Sequence, residues 1–367
     1  MATTTLGPAG TNLPYDTAVL IQTVPNLKRP VRFLLDRFFP NQVMSDTEEV
    51  AIDVDIGIRR IAPFVSPLVE GKLVEARRYQ TNLFKPAYIK DKRAPDLRRP
   101  VRRQIGERIA GELTGAEREA ANLEFELTDQ IDMITRRLEW MAAQALDNGS
   151  VTVTGDGYPS VVVDFGRDSS LTVALTGTAK WTAANVLAGN ASPTSNIESW
   201  QRTILKKSGA KTTDIVMTTS AWLGFICDPV LKGAIYYPKL GDYANSIDPG
   251  AQIQAGAQYK GRWGGYDLWV YNEWYVDSGT EGGTAGTEYP MLTDGTVIMS
   301  GPDMMGTRAF GVVLDPAFNY ATLPFAPKTW VTEDPAQRFL MMQSSPIVIP
   351  SRVNACLSAT VCDAVYT

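Results

Sequence analysis

The chain has 367 residues, of which 44% are hydrophobic and 20% charged, so it has room for two or more globular domains. It contains no histidine and only three cysteines, which removes the commonest catalytic base and the commonest zinc ligands. No stretch approaches the roughly 18 apolar residues of a membrane span, and the N-terminus lacks a signal-peptide layout, so we expect cytosolic synthesis, no membrane association, no cofactor and no catalytic residues.

Charge is divided unevenly along the chain. Residues 1–110 hold 18 Lys and Arg against 12 Asp and Glu, whereas the remainder holds 17 against 28, although the net charge is only −5. Opposite charge on two parts of one chain suits association between copies at least as well as it suits binding to nucleic acid.

Residues 1–50 are typical of an extended arm with short elements, because Pro25, Pro30 and Pro40 interrupt any long helix. Near the end of this arm, five apolar side chains form a cluster that must be buried, with another copy of the chain as one candidate partner: Phe33, Leu34, Leu35, Phe38 and Phe39. Apolar and polar residues then alternate over 50–66, which predicts a strand with one buried face.

Residues 61–103 are punctuated by prolines and become strongly basic toward their end, and Glu70-Gly71 is typical of the tip of a long two-stranded loop. The basic residues could contact a phosphate backbone. Alternatively they pair with acidic surface on neighbouring copies, which the scarcity of interleaved aromatic residues favours. The candidate inter-subunit contact residues are Arg77, Arg78, Lys90, Lys92, Arg93, Arg98, Arg99, Arg102 and Arg103.

A long helix is predicted over residues 113–147, because apolar residues recur there at intervals of three and four. Thr114 and Glu117 have the spacing of a capping box, and Asn148-Gly149 is a natural stop. At 1.5 Å per residue this rod is roughly 50 Å long, far longer than an average globular helix. Such a rod needs an extensive surface to lie against.

The remaining elements are mostly strands. A hairpin is predicted from 150–154 and 161–165, and a linker over 187–196 leads to a helix that Ser195 and Glu198 cap and Gly209 ends. The other predicted elements are a strand at 215–217, a helix at 221–235 interrupted by Pro229, an aromatic hairpin at 259–277, and strands at 297–300, 308–314, 339–343, 346–349 and 355–361.

Several functional interpretations of single motifs are weak. The aromatic stripe of 259–277 could stack on sugars or bases, but core packing is the favoured explanation. Gly155 and Gly157 do not form a dinucleotide loop, because strand sequence follows them. Cys356 and Cys362 would lie roughly 20 Å apart on one strand, too far to form a disulfide, and are expected to be buried fillers, as is Cys227.

Three ordered blocks carry a resemblance to a known family: VSPLVEGKLVEARRYQTNLFKPAYIKDK (65–92), YKGRWGGYDLWVYNEWYVDSG (259–279) and PKTWVTEDPAQRFLMMQSSPIVI (327–349). In order and separation they resemble the lambda-type major capsid proteins of tailed bacteriophages, the phage major capsid protein E family, which has the Hong Kong 97-type capsid fold. The resemblance covers nearly the whole chain beyond residue 25 or so.

The resemblance implies an α+β subunit with the following parts: an N-terminal arm at 1–50, an extended loop at 51–105, a peripheral domain at 106–190 with a spine helix at 113–147, an axial domain at 191–325, peripheral return strands at 326–350 and an axial C-terminal strand at 351–367. On this mapping, we expect the apolar helix face from Leu127 to Met141 to pack on peripheral strands. The charged face, with Arg136, Arg137 and Glu139, is expected to look toward the lumen or a neighbour.

The implied function is that of a virion structural protein, not an enzyme. Hexamers and pentamers of the chain would close into an icosahedral head that encloses double-stranded DNA, assembled in the bacterial host cytoplasm. A portal protein, a separate scaffold protein and a decoration protein are implied partners, and the acidic balance of the chain argues for only non-specific contact with DNA. Some relatives in the wider fold cross-link a lysine to an asparagine, and Lys85, Lys90 and Lys92 lie in the corresponding loop, but no motif supports that chemistry.

Two other interpretations are kept as alternatives. A tail-tube or other virion subunit would form stacked rings instead of closed shells. A β-rich carbohydrate-binding or hydrolytic protein would use the aromatic residues of 263–275 as a platform and a pair of carboxylates for catalysis.

Overall fold

A computed structural model describes residues 32–55, 61–62, 64–68, 70–71, 79–96, 98, 114–155, 158–236, 246–247, 256–277, 286–334 and 337–363. The helices are α1 (Phe33–Phe38), α2 (Gly115–Asp147), α3 (Ala183–Leu187), α4 (Pro193–Lys207), α5 (Thr219–Ile226) and α6 (Pro229–Tyr236). The strands are β1 (Asn41–Met44), β2 (Val50–Asp55), β3 (Tyr79–Phe84), β4 (Ile89–Arg93), β5 (Ser150–Gly155), β6 (Tyr158–Asp164), β7 (Thr172–Ala174), β8 (Asp214–Met217), β9 (Ser246–Ile247), β10 (Gly256–Trp263), β11 (Tyr266–Asn272), β12 (Trp274–Val276), β13 (Glu288–Pro290), β14 (Thr296–Ser300), β15 (Gly306–Phe310), β16 (Ala326–Thr332), β17 (Gln337–Ser344), β18 (Pro346–Pro350) and β19 (Leu357–Thr360).

The strands form three larger sheets and three ribbons. A seven-stranded sheet has the order β7-β19-β14-β8-β11-β10-β9, and two three-stranded sheets have the orders β1-β15-β18 and β16-β17-β4. The ribbons pair β2 with β3, β5 with β6, and β12 with β13. The chain therefore combines helices with sheets that contain both parallel and antiparallel strand pairs, as in an α+β protein.

Helix α2 is the long helix that the sequence predicts, and it runs unbroken for 33 residues. Thr114 and Glu117 complete the capping box, each side chain bonding to the other residue's backbone N–H. The helix packs on β5, β17 and β18, which lie in the segments predicted as peripheral, and also on β14 and β19, which lie in the segments predicted as axial. Its buried apolar side chains are Leu123, Leu127, Ile131, Ile134, Leu138, Trp140, Met141, Ala142, Ala143, Ala145 and Leu146.

The C-terminal end of α2 is held by Arg167. Its guanidinium donates to the carbonyl oxygens of Leu146, at 2.6 Å, and of Asp147. These carbonyls have no partner within the helix, and a cation is favoured there by the helix dipole. Gly149 follows with a φ of 70°, and a Cβ at this position would overlap the Arg167 side chain. Glycine is therefore required for both the turn and the close approach.

The apolar cluster of the predicted arm is buried in its own chain. Leu34, Leu35, Phe38 and Phe39 are all inaccessible to solvent or nearly so. They lie on or beside α1, which packs on α2. The ring of Phe33 lies 4.9 Å from that of Trp269, which places α1 against the seven-stranded sheet as well. Another copy of the chain is not needed to cover this cluster.

The prediction that Glu139 lies on an outward, charged face of α2 is wrong. This side chain is only 5% exposed, and its two carboxylate oxygens accept hydrogen bonds from the backbone N–H groups of Leu34, at 2.8 Å, and Leu35, at 3.1 Å. The Tyr271 hydroxyl donates a third bond to it at 3.2 Å. Glu139 therefore caps the N-terminus of α1 from a neighbouring element and does not face a lumen or a neighbour.

Some boundaries differ from the predicted ones for local reasons. Helix α4 begins at Pro193 with Ser192 as its N-cap, so Ser195 lies inside the helix and does not cap it. Proline is favoured at the first helical position because it lacks an N–H that would have no partner there. The predicted strand over 50–66 ends at Asp55, and 61–62 and 64–68 hold no strand. Strand β15 ends at Phe310, short of the predicted 314.

The predictions for the aromatic hairpin and for the absence of a disulfide between Cys356 and Cys362 are confirmed. The aromatic hairpin is formed by β10 and β11, and most of its rings pack against the core, with Tyr271 buried. The three cysteines are free; Cys356 and Cys362 are buried on either side of β19 and Cys227 is half-buried.

Among the described residues, none of the helices is long and apolar enough for a bilayer crossing. The same residues hold no group of acidic, cysteine or histidine side chains arranged for a metal ion.

Candidate inter-subunit surfaces

The extended loop carries large apolar side chains that its own chain does not cover. Strands β2 and β3 pair antiparallel from Val50↔Phe84 to Asp55↔Tyr79, and this ribbon leads into the loop. Beyond the ribbon, Ile61 is 93%, Phe64 103% and Leu68 95% exposed. Burying each of these side chains would contribute roughly 1.5–3 kcal/mol, so together they form a surface that favours a partner.

The predicted contact residues on strand β4 point to two different faces of the sheet. Side chains alternate across a strand, so Lys90 and Lys92 share one face while Asp91 and Arg93 share the other. Strand β4 pairs antiparallel with β17, with Lys92 opposite Met341 and Arg93 opposite Leu340. Leu340 is fully buried, whereas both lysines are exposed. The lysines therefore face outward and Arg93 faces α2.

Arg93 is occupied by carboxylates of its own chain. Its guanidinium forms ion pairs with Asp91 at 3.0 Å, Glu126 at 3.0 Å and Asp129 at 2.6 Å. Burial lowers the pKa of Arg93, but the bonds to Glu126 and Asp129 outweigh it and raise that pKa above its ordinary value. Gln130 adds a bond from its Nε2 to the carbonyl oxygen of Asp91, at 3.1 Å. This network attaches β4 to α2.

Replacing Arg93 with alanine is expected to destabilise the monomer by about 2–4 kcal/mol, because it leaves the buried carboxylate of Glu126 without its cation. Lys92→Ala is the matched control on the same strand. It removes only a partly exposed cation–π contact and should cost about 1 kcal/mol or less. Urea-induced unfolding of both variants measures the difference. Equal losses would show that the Arg93 network contributes no more than the surface contact.

The outward face of the β16-β17-β4 sheet combines aromatic rings with the two exposed lysines. Trp330 and Phe339 stack with their ring centroids 5.4 Å apart, and Lys92 Nζ lies 4.2 Å from the Phe339 centroid. Lys90 Nζ lies 5.1 Å from the Tyr88 ring. Neither ammonium has a carboxylate partner in the part of the chain that the structure describes. This face, which we call the lysine–aromatic face, thus presents two exposed ammonium groups beside aromatic rings.

The other predicted contact residues are only partly placed. Arg98 is exposed, and its backbone N–H donates to Asp96. Lys85, considered for cross-linking, forms an ion pair with Glu48 at 2.6 Å. Arg77, Arg78, Arg99, Arg102 and Arg103 lie outside the described residues. The sequence prediction missed the apolar loop residues, although IAPFVSPLVE is unusually apolar for a proline-rich loop.

The fold is shared with a solved capsid structure. A crystal structure assigned as a capsid protein of a prophage in Escherichia coli CFT073 superposes with a TM-score of 0.67 at 18% identity, over 94% of this chain and 99% of that one. The long helix on mixed sheets and this superposition define the fold class: the α+β capsid fold of the Hong Kong 97 type, as the sequence predicts.

Sequence comparisons place the chain within that class. The model of the family described as phage major capsid protein E matches residues 16–361. The major capsid protein of Escherichia phage lambda is 26% identical over 339 residues, which cover 91% of this chain and 95% of the relative. The major capsid protein of Escherichia phage N15 is 26% identical over 341 residues, with the same coverage.

The chain therefore belongs to the phage major capsid protein E family. It is a major capsid protein, a structural subunit of the head shell of a tailed phage and a component of the virion.

Proposed function

We propose that copies of this chain form hexamers and pentamers that close into an icosahedral head around double-stranded DNA. Assembly proceeds in the bacterial cytoplasm without an enzymatic step, and the portal, scaffold and decoration proteins are its partners. The single observation that supports this proposal most strongly is the loop with Ile61, Phe64 and Leu68, whose side chains are almost fully exposed in the isolated chain. A second copy would bury them.

The loop binds to the lysine–aromatic face of a neighbouring copy. Trp330 and Phe339 offer ring surface to apolar side chains, and Lys90 and Lys92 offer charge to the Glu70 carboxylate near the loop tip. A loop on one face that docks to a different face of the next copy is a heterologous contact. Such contacts close into rings when the rotation between copies permits it.

The basic segment around Arg98 adds a second contact, in which it pairs with acidic surface on adjacent subunits. Reversing the charge at Arg98, Arg99, Arg102 and Arg103 is expected to block shell formation and to leave the monomer folded. The matched control replaces the same four residues with lysine, which keeps the charge and should assemble. Sedimentation separates shells from subunits, and normal shells from the reversed variant would remove this contact from the proposal.

Negative-stain microscopy of the purified protein tests the function itself. Closed shells of uniform diameter are expected. Stacked rings or tubes, or particles that stay unassembled when the scaffold protein is also present, would contradict the proposed closed shell. Boiling the shells in detergent tests the absence of covalent chemistry, because a ladder of linked subunits would contradict it.

A further inference from the structure

A cavity outside the surfaces described above lies at one end of the seven-stranded sheet. Strands β8 and β11 are parallel neighbours, paired from Asp214↔Asp267 to Met217↔Val270, and the cavity opens just beyond their carboxyl ends. Open sheets commonly bind ligands at this end of parallel strands. The cavity measures about 210 Å³, and its walls include Thr219, Tyr271, Asn272, Glu273, Trp274 and Leu292.

The N-terminus of α5 borders this cavity but is already satisfied by a carboxylate. Asp294 accepts hydrogen bonds from the Ser220 hydroxyl, at 2.5 Å, and from the Ser220 backbone N–H, at 3.4 Å. The first turn of a helix favours an anion, and Asp294 supplies it from within the chain. An external anion is therefore not the expected occupant.

Two polar groups that line the cavity are available to bind a ligand or an inserted side chain. The Glu273 side chain is half-buried, and its carboxylate makes no hydrogen bond or ion pair with the described part of the chain. Asn272 accepts a bond from the Thr219 hydroxyl at 2.7 Å, but its buried Nδ2 has no partner. Among the described residues that line the cavity, none is a lysine or an arginine. An occupant thus needs a cation for Glu273 and a hydrogen-bond acceptor for Asn272.

The walls favour a side chain with an apolar stem. Trp274, Pro290 and Leu292 are apolar, and the volume is below the roughly 300–1,000 Å³ of pockets that hold drug-sized ligands. Lysine and arginine combine a long aliphatic stem with a cationic end, and a cation also favours the face of a tryptophan. The carbonyl oxygens of the same peptide segment provide the acceptor.

We propose that this cavity receives a lysine or arginine side chain from a second copy of the chain. The cation pairs with Glu273, the stem lies against Trp274 and Leu292, and a carbonyl of the inserted segment accepts from Asn272 Nδ2. The inference rests on the proposed shell assembly and assigns one of its contacts.

The second copy is favoured over other partners by charge and by the surroundings of the cavity. Residues 1–110 carry an excess of basic residues and the remainder of the chain an excess of acidic ones. Each copy therefore has basic side chains that are complementary in charge to the acidic cavity of another copy. The rim continues onto ribbon β12–β13, where Trp274 is 42% and Val276 60% exposed. An exposed apolar rim around a charged pocket is typical of a contact between proteins.

Charge removal tests the contact. Glu273→Gln is expected to lower the yield of shells at least tenfold without changing the unfolding transition of the monomer, because the carboxylate has no partner among the described residues of its own chain. Glu124→Gln is the matched control, since it removes the same charge from an exposed position on α2, outside the lining of the cavity and outside its rim. A normal yield of shells from Glu273→Gln would overturn the proposal.

Carboxyl labelling of the wild-type protein provides the second measurement. A carbodiimide with glycine ethyl ester modifies accessible carboxylates, and mass spectrometry reads each site in free subunits and in shells assembled from the purified chain alone. Labelling of Glu273 is expected to fall at least fivefold on assembly. Equal labelling in both states would overturn the cavity contact while leaving the proposed function intact, whereas a chain that forms no shells even with its scaffold protein present would contradict the proposed function.

Discussion

Replacing both Phe64 and Leu68 with aspartate is expected to abolish shell formation while leaving the monomer as stable as the wild type. Both side chains are almost fully exposed in the single chain, so the folded monomer loses no packing when they are changed. In the shell, the same side chains would be buried on a neighbour, and two buried carboxylates without partners would cost several kcal/mol per contact. Repeated at every contact of a closed shell, this cost prevents assembly.

The matched control for this prediction is Leu187→Asp together with Val230→Asp. Leu187 ends α3 and Val230 lies on α6, and both are exposed apolar residues outside the loop and the lysine–aromatic face. If charge at any exposed position stopped assembly, the control would fail as well. Analytical ultracentrifugation measures shells and subunits, and urea unfolding confirms that the subunits are folded. Shells of wild-type yield from Phe64→Asp/Leu68→Asp would remove the loop from the account.

Replacing Glu139 with alanine is expected to destabilise the monomer by roughly 3 kcal/mol or more. The backbone N–H groups of Leu34 and Leu35 and the hydroxyl of Tyr271 would lose their acceptor in a buried site, and each orphaned group costs about 1–3 kcal/mol. Glu124→Ala is the control, because Glu124 is exposed on the same helix and should change stability by about 0.5 kcal/mol or less. Equal stability of the two variants in urea would contradict the capping role.

The protonation of Glu139 adds a pH dependence. Burial raises the pKa of this carboxyl above its ordinary value, more than the bonds from Leu34, Leu35 and Tyr271 lower it. A group whose pKa is raised in the folded state stabilises the protein most below its unfolded pKa and loses that contribution as the pH rises through the folded pKa. The free energy of unfolding of the wild type, relative to Glu139→Gln, should therefore fall as the pH rises from about 4 upward.

Features that depend on local pattern could be predicted from the sequence. The interval of three and four residues along α2, its capping box and its Asn148-Gly149 stop lie within one continuous segment, and the structure confirms them. The break at Pro229 and the turn at Gly264-Gly265 also follow from single residues with restricted or unusual backbone angles.

Features that depend on distant partners could not be predicted in the same way. Glu139 looks like a surface residue of an amphipathic helix, but its partners Leu34 and Leu35 are 105 and 104 residues away. Arg37 likewise pairs with the buried Asp214, 177 residues away, at 2.7 Å. Because these contacts join α1 to both α2 and the seven-stranded sheet, they become visible only when all three elements are assembled.

The basic segment shows a third limit. Counting charges over residues 90–103 groups Lys90, Lys92 and Arg93 together, whereas the alternation of β4 sends the lysines outward and Arg93 onto α2. The period of two was available in IKDKR, but the prolines around it favoured a loop. Pairing with β17 formed the strand, and that pairing spans about two-thirds of the chain.

The central claim is that each subunit lays its extended loop on the lysine–aromatic face of a neighbour in a closed shell. A cryo-electron microscopy reconstruction of shells assembled from the purified chain tests it directly. We expect icosahedral shells in which Phe64 and Leu68 lie against Trp330 and Phe339 of an adjacent subunit. Shells in which the loop folds back on its own chain, or in which it lies on another surface of the neighbour, would contradict it.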